Sequence, residues 1–342
     1  MESPKFEPLA EYFTEIDERL KTILPARVSL LANIAGYTVR LVFPNVEYAR
    51  YVIPDMFVTL DNGTEMVDAT FIWWEDKIIC YKLHNLTHLM NFNHWGRGIF
   101  KIKDSCGYVE IIADSLRGVD YRNNTYYLLS NPSTQPKWSI ATHPFAKVCF
   151  LWAQQHDLLM LHAAAVGVDG RGVLIVGHGG TGKSTLTCTC LADGFDFISD
   201  DYCLLSATGV RTVYPIYTNV SLNPDSLAKL TMYKPFEILP MQAEKRAFEV
   251  SETKIKPSLP VEAIILPQVT DNIEPEIKSD QTSKALGQLV YSTTKQLGRF
   301  RETEFVQKLA QRLLGMPVYR FSLTKDLQKN CQYLKKWIKE EL

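Results

Sequence analysis

The chemistry of this chain concentrates in eight consecutive residues. Gly177-His178-Gly179-Gly180-Thr181-Gly182-Lys183-Ser184 fits the pattern G-x-x-x-x-G-K-[ST] at every fixed position. Glycines let the backbone curl so that successive N–H groups converge on an anion. The lysine adds a point charge for the outer phosphates of a nucleotide, and the hydroxyl after it can reach Mg²⁺. The candidate nucleotide-binding residues are Gly177, Gly179, Gly180, Thr181, Gly182, Lys183, Ser184 and Thr185, with Ser184 also at the metal and His178 at a variable position. At average residue usage such a match arises by accident in roughly one chain of this length in a hundred.

Downstream, Asp200 and Asp201 are adjacent carboxylates just beyond Phe195–Ser199, a run that reads as a strand. Carboxylates at a strand's C-terminal end beside an anion loop sit where a metal ligand and a general base are wanted. The bland alternative is that one of them caps the next segment. For these groups to meet, the loop must lie between a strand and a helix, whose N-terminal dipole adds to the anion site. Gly172–Val176 is short, apolar and β-branched, as a buried strand requires. Ser184–Ala192 alternates helix formers with threonines and ends before Gly194, a helix-stopping residue. Upstream, Asp169-Gly170 is a hairpin signal joining two strands in LMLHAAAVGVDGRGVLIVG.

With Leu161-His162, Gly177–Ser184 and Ser199-Asp200-Asp201 in view, the second half of the chain resembles the catalytic domain of HPr kinase/phosphorylase and the wider group of HPr-kinase-like serine kinases. Val213–Tyr217, Ser221–Asp225 and Lys245-Arg246 are similar to stretches of the group's divergent members. The resemblance implies an α/β fold with a P-loop catalytic domain of the HPr-kinase/PEP-carboxykinase type. It implies ATP and Mg²⁺ as cofactors and transfer of the γ-phosphoryl group to a serine-like hydroxyl. It puts the base on Asp200, the metal on Asp201 with Ser184, and His162 at the transferred phosphoryl or at an Asp. It also brings Arg246 to the developing charge. A structural role for His162 and a solvated charged loop around Lys245-Arg246 are the competing readings. The glycine-rich I-R-G-L-G signature of HPr kinase/phosphorylase proper does not follow Asp201. Neither HPr recognition nor the reverse reaction is therefore implied. The expected acceptor is a hydroxyl-bearing peptide, protein or small molecule. Two other readings stay open: a nucleotide-binding regulatory ATPase, and a decarboxylating kinase of the PEP-carboxykinase type.

Length and composition bound the rest. At 342 residues two domains are expected, a mainly antiparallel β domain with a leading helix over 1–135 and the catalytic domain over 140–342. The polar stretch Ser130–Pro136 reads as their linker. Hydrophobic residues at 46% and charged ones at 22% describe an ordinary globular chain. A net charge of −1 gives no global attraction to nucleic acid or an anionic membrane, so a polyanion must find a local site. No apolar run approaches the ~20 residues of a membrane span, and MESPKFEPLAEYF lacks the apolar core of a signal peptide. A cytoplasmic protein is expected, with neither nucleic acid nor membrane as partner and a homo-oligomer left open. The seven cysteines form no C-x-x-C pair and read as buried free thiols. His84, His88 and His94 have the types but not the supporting motif of metal ligands.

In chain order, a helix is expected up to Leu24, then short β segments over Val28–Ile112 with turns at Asp61-Asn62-Gly63 and Asp104-Ser105-Cys106-Gly107. Phe71, Trp73 and Trp74 read as core packing rather than a binding platform. Phe145–His156 reads as a buried helix. Beyond the Asp pair the expectations are a strand over Arg211–Ile216, a helix from Asn223-Pro224-Asp225, and an inner strand Ala263–Leu266 closed by Pro267. A polar loop over Asp271–Ser283 and helices over Phe305–Leu314 and Leu327–Trp337 complete the chain, with the strand Val318–Leu323 between those helices.

Overall fold

The computed structural model describes residues 7–23, 27–53, 56–60, 66–77, 91–92, 97–102, 105–110, 115–120, 124–131, 143–230, 246–250, 254–299 and 301–342. The chain divides into two compact units, Met1–Pro54 with Val58–Trp152 and Asp55–Phe57 with Ala153–Leu342. Each unit is a mixture of helices and a mixed sheet.

The first unit runs α1 (Glu7–Ile23), β1 (Val28–Ile34), β2 (Tyr37–Phe43), α2 (Val46–Val52), β3 (Thr59–Leu60), β4 (Ala69–Glu75), β5 (Asn91–Phe92), β6 (Arg97–Ile102), β7 (Ser105–Glu110), β8 (Ser115–Asp120), β9 (Thr125–Ser130) and α3 (Ala146–Ala153). Among the described residues its strands lie in the order β3-β1-β2-β4-β9-β8-β7-β6-β5. Among the described residues, β2–β4 and β4–β9 are its parallel pairs. The central β4, flanked by parallel neighbours, is buried on both faces, which is why its sequence runs apolar instead of alternating. Phe71, Trp73 and Trp74 are all core, with Phe71 edge-on to Tyr126 and Trp152 and Trp73 edge-on to Tyr48. Of the turn expected at Asp104–Gly107, Asp104 lies outside the described residues and the other three residues form strand. Ser105, Cys106 and Gly107 are already paired in β7, with Gly107 opposite Gly118. The histidines His84, His88 and His94, the turn at Asp61-Asn62-Gly63 and the linker residues beyond Asn131 lie outside the described residues.

The second unit runs β10 (Leu158–His162), β11 (Ala164–Val168), β12 (Arg171–Ile175), α4 (Lys183–Ala192), β13 (Asp196–Ser199), β14 (Tyr202–Ser206), β15 (Thr212–Pro215), β16 (Asn219–Leu222), α5 (Pro224–Lys229), β17 (Arg246–Glu249), β18 (Leu259–Val269), β19 (Glu276–Ser279), α6 (Thr282–Leu297), α7 (Glu302–Leu313), β20 (Val318–Leu323) and α8 (Leu327–Glu340). Its main sheet is ordered β10-β14-β15-β18-β12-β11-β13, with β20 beside β18 and β19 beside β20. The hairpin at Asp169-Gly170 joins β11 to β12, and both turn residues have positive φ, 53° and 80°, as a two-residue turn of matching twist demands. β12, β18 and β20 are mutually parallel, and β13 points the same way through two antiparallel steps across β11. Four strands therefore end at one edge, the place where α/β sheets present their ligand sites. Under that edge α4 packs Leu186, Cys188, Cys190 and Leu191 into a core shared with β11, β12 and α8. The threonines of α4 back-bond within the helix, Thr187 to the Lys183 carbonyl and Thr189 to that of Thr185, each at 2.8 Å.

Two expectations change here. Pro267 does not close the inner strand, which runs on to Val269. Past Ile265 that strand has a neighbour on one side only, so a residue without an N–H fits there. The expected loop Asp271–Ser283 holds β19 and the start of α6, and its polar composition is that of a solvent-facing edge strand on β20.

Candidate functional site

The glycine loop leaves β12 at Val176, whose N–H donates to the Ile265 carbonyl at 2.9 Å. The loop closes through the Thr181 hydroxyl, which donates to the His178 carbonyl at 2.9 Å. Gly180 and Gly182 have φ of 88° and 92°, and a Cβ on Gly182 would stand 2.9 Å from Leu323 Cδ1. A side chain there would meet both strain and a clash. Gly182 precedes the first turn of α4, so its neighbours' N–H groups open toward the sheet edge. Gly177, Gly179 and Gly180 lie in the same loop, with Gly179 and Gly180 exposed. Ser184 is half-buried in the first turn of α4, and the Thr185 hydroxyl donates to Ser226 Oγ on α5 at 2.8 Å.

Two distant stretches meet the lysine of this loop. Lys183 is buried, and its ammonium donates to the Asp200 carbonyl and lies 3.5 Å from Asp201 Oδ1. Asp200 and Asp201 form the two-residue bend between β13 and β14, held where Ser199 Oγ accepts from the Asp201 N–H at 3.1 Å. His162, the last residue of β10, brings Nε2 to 2.6 Å from Asp201 Oδ1. The two carboxylates differ in surroundings. Asp200 is 1% exposed, and its Oδ2 accepts from the Ser221 N–H on β16 at 3.1 Å. The Asp201 side chain is 15% exposed and faces both the His162 imidazole and the Lys183 ammonium.

Arg246 opens β17, opposite Leu222 in the ladder with β16, the strand that touches Asp200. The side chains of β17 and the residue Lys245 lie outside the described residues. Among the described residues no group of three or more His, Cys, Asp or Glu could hold a metal by itself. Ser184 with one or two carboxylates still suits Mg²⁺, which takes most of its ligands from phosphate and water.

Other contributors were not legible beforehand. Thr293 Oγ1 on α6 accepts from the His162 N–H at 3.0 Å, and Gln296 Nε2 lies 3.0 Å from His162 Nε2. The Tyr202 hydroxyl donates to Gln296 Oε1. Burial first, and Asp201 second, push the Tyr202 hydroxyl well above its ordinary pKa and keep it protonated. Cys203, beside it on β14, is pushed up to about 12 by burial. The signal for α6 was the four-residue spacing of Ala285, Leu289, Thr293 and Leu297, all buried on one stripe. His178 leans edge-on against Tyr291 of the same helix, ring centres 5.4 Å apart.

No family model matches the chain, and no curated protein matches it. Among solved structures, the HPr(Ser) kinase/phosphatase from Coxiella burnetii is similar over 53% of this chain and 93% of that chain, at 13% identity and a TM-score of 0.28. That is a distant structural relationship, and it carries no weight for the role of any residue. No helix among the described residues is long and apolar enough to cross a membrane.

Proposed function

We propose that the second unit is an Mg-ATP-dependent kinase that transfers the γ-phosphoryl group to a serine-like hydroxyl of a peptide, protein or small molecule. The observation that carries this reading is the convergence of Lys183, the Asp200–Asp201 bend and His162 at one strand edge. Phosphoryl transfer asks for a held donor, neutralised charge and a carboxylate near the acceptor, and little covalent chemistry. Gly177–Ser184 would hold the phosphates. Ser184 would hold Mg²⁺, whose other ligands would come from phosphate and water, and the ion would supply positive charge to the phosphates. The acceptor hydroxyl gives its proton to a carboxylate as its oxygen bonds to the γ-phosphorus. The bond from that phosphorus to the β–γ bridging oxygen breaks, and ADP leaves. Exposure favours Asp201 over Asp200 as that base, the reverse of the expectation from the sequence, because a base must reach the hydroxyl. Asp200 then holds the bend against β16. Arg246 remains a proposal for the developing charge, through the pairing of its strand with β16.

The test is incubation of the protein with γ-labelled ATP, Mg²⁺ and pools of peptides, proteins and metabolites, followed by identification of the labelled product. A labelled hydroxyl that vanishes with Lys183→Ala supports the reading. ADP and free phosphate without any labelled acceptor would favour a regulatory ATPase instead.

A further inference from the structure

Helix α6 reaches His162 at two heights. Thr293, fully buried, takes the backbone N–H, while Gln296 faces the imidazole at 3.0 Å. On its other side the Gln296 amide is clamped by the Tyr202 hydroxyl, and the Tyr202 ring lies 5.5 Å from that of His162. Around the imidazole stand Asp201 from the β13–β14 bend, Lys183 behind it on α4, Tyr202 on β14, and Thr293 and Gln296 on α6, among other contacts.

A histidine ring turns broadly about its outer torsion, so a backbone anchor alone does not aim it. Aiming needs a second contact at the ring. An amide supplies one whatever the direction of the bond, since a half-turn exchanges its oxygen and nitrogen. When the single Nε2 proton of His162 goes to Asp201, the amide turned by a half-turn shares that proton through its oxygen in a three-centre bond and offers its own N–H to the Tyr202 oxygen, whose hydroxyl both donates and accepts.

We propose that Gln296 is a positioning residue that holds the His162 imidazole at the angle where Nε2 meets Asp201. The consequence for catalysis rests on the kinase reading, whereas the geometric claim does not. Met at 296 fills a similar volume and offers no hydrogen bond. The experiment uses the full chain without nucleotide, at fixed pH, and reads the His162 ring signals by NMR, assigned through their loss in His162→Ala. In Gln296→Met those signals should move. With nucleotide and acceptor, kcat should fall about 10–100-fold, the scale of loss when an outer hydrogen-bond partner of a metal-bound histidine is removed. Nucleotide affinity should stay within about twofold, since the glycine loop is untouched. Unmoved ring signals in a folded Gln296→Met protein overturn the proposal, as does nucleotide affinity falling in step with kcat. Should that variant not fold, Tyr202→Phe loosens the amide while leaving it in place, and unmoved signals there overturn the proposal equally. Moved signals in a protein whose wild type transfers no phosphoryl group would leave the positioning role standing and the kinase reading lost.

Discussion

Lys183 is asked to serve two anions. It sits on the Asp200 carbonyl and faces Asp201, and a bound phosphate would compete for the same ammonium. Lys183→Ala should weaken MgATP binding by about 10–100-fold, the loss of one or two charge-assisted contacts. Calorimetry on the folded variant reads this directly, and unchanged affinity would remove Gly177–Ser184 from the nucleotide site. The carboxylates separate by a different measurement. Asp201→Asn keeps the shape and removes the basicity, so transfer should fall by about 10²–10⁴. Asp200→Asn keeps an acceptor for the Ser221 N–H and should cost far less. Rates for the two variants across a Mg²⁺ titration decide between them, and equal losses would return the base to the pair as a unit. Motif spacing made the residue types legible. The difference between the two carboxylates was not, because adjacent identical residues differ only in what β16, His162 and Lys183 do around them.

At the scale of elements, the turn into α4 depends on Gly182. Alanine there would need φ near 92° and would press its Cβ against Leu323 and Val269. Gly182→Ala should therefore lower unfolding free energy by about 1–3 kcal/mol, as a urea titration would show. The far end of α4 is tied to α8, where Lys335 donates to Asp193 at 2.8 Å. That contact, ahead of Gln328, holds the Asp193 carboxyl below its ordinary pKa of 3.8. A depressed carboxyl adds stability that is present above 3.8 and lost as pH falls through the lower folded value. Lys335→Met should thus be less stable than wild type at neutral pH and converge with it in acid. Thermal melts at a series of pH values check this, and a constant gap would deny the ion pair its role. The strands, hairpin and helix around the glycine loop were readable from β-branched runs, the Asp-Gly turn and Gly194. Helix α6 was not, because its buried stripe carries Ser292, Thr293 and Thr294 where an apolar pattern expects aliphatics.

At the scale of the whole molecule, the chain order and the packing order differ. Asp55–Phe57 belongs with the second unit although its neighbours on both sides belong with the first. Met56 is fully buried there in a bridge with Tyr217, and the Phe57 N–H donates to the Ile216 carbonyl at 2.8 Å. Met56→Ala should cost the second unit about 2–5 kcal/mol, the usual loss for an emptied buried site. Hydrogen exchange at residues 216–220 reports on that unit alone, and unchanged protection would show the bridge to be energetically idle. The units also divide at Trp152, so most of α3 packs with the first unit, where Trp152 meets Tyr37 and Phe71.

What the sequence determined by itself is local: a glycine loop between strand and helix, a carboxylate pair at a strand end, and a hairpin whose two residues accept positive φ. Each follows from backbone sterics and hydrogen bonding within a few neighbours, which spacing encodes directly. What only the tertiary structure decided is which groups meet across long separations. His162 reaches Asp201 because β10 pairs with β14, and Gln296 reaches His162 because α6 lies against β10. Those contacts depend on sheet order and register, and no window of the sequence contains both partners.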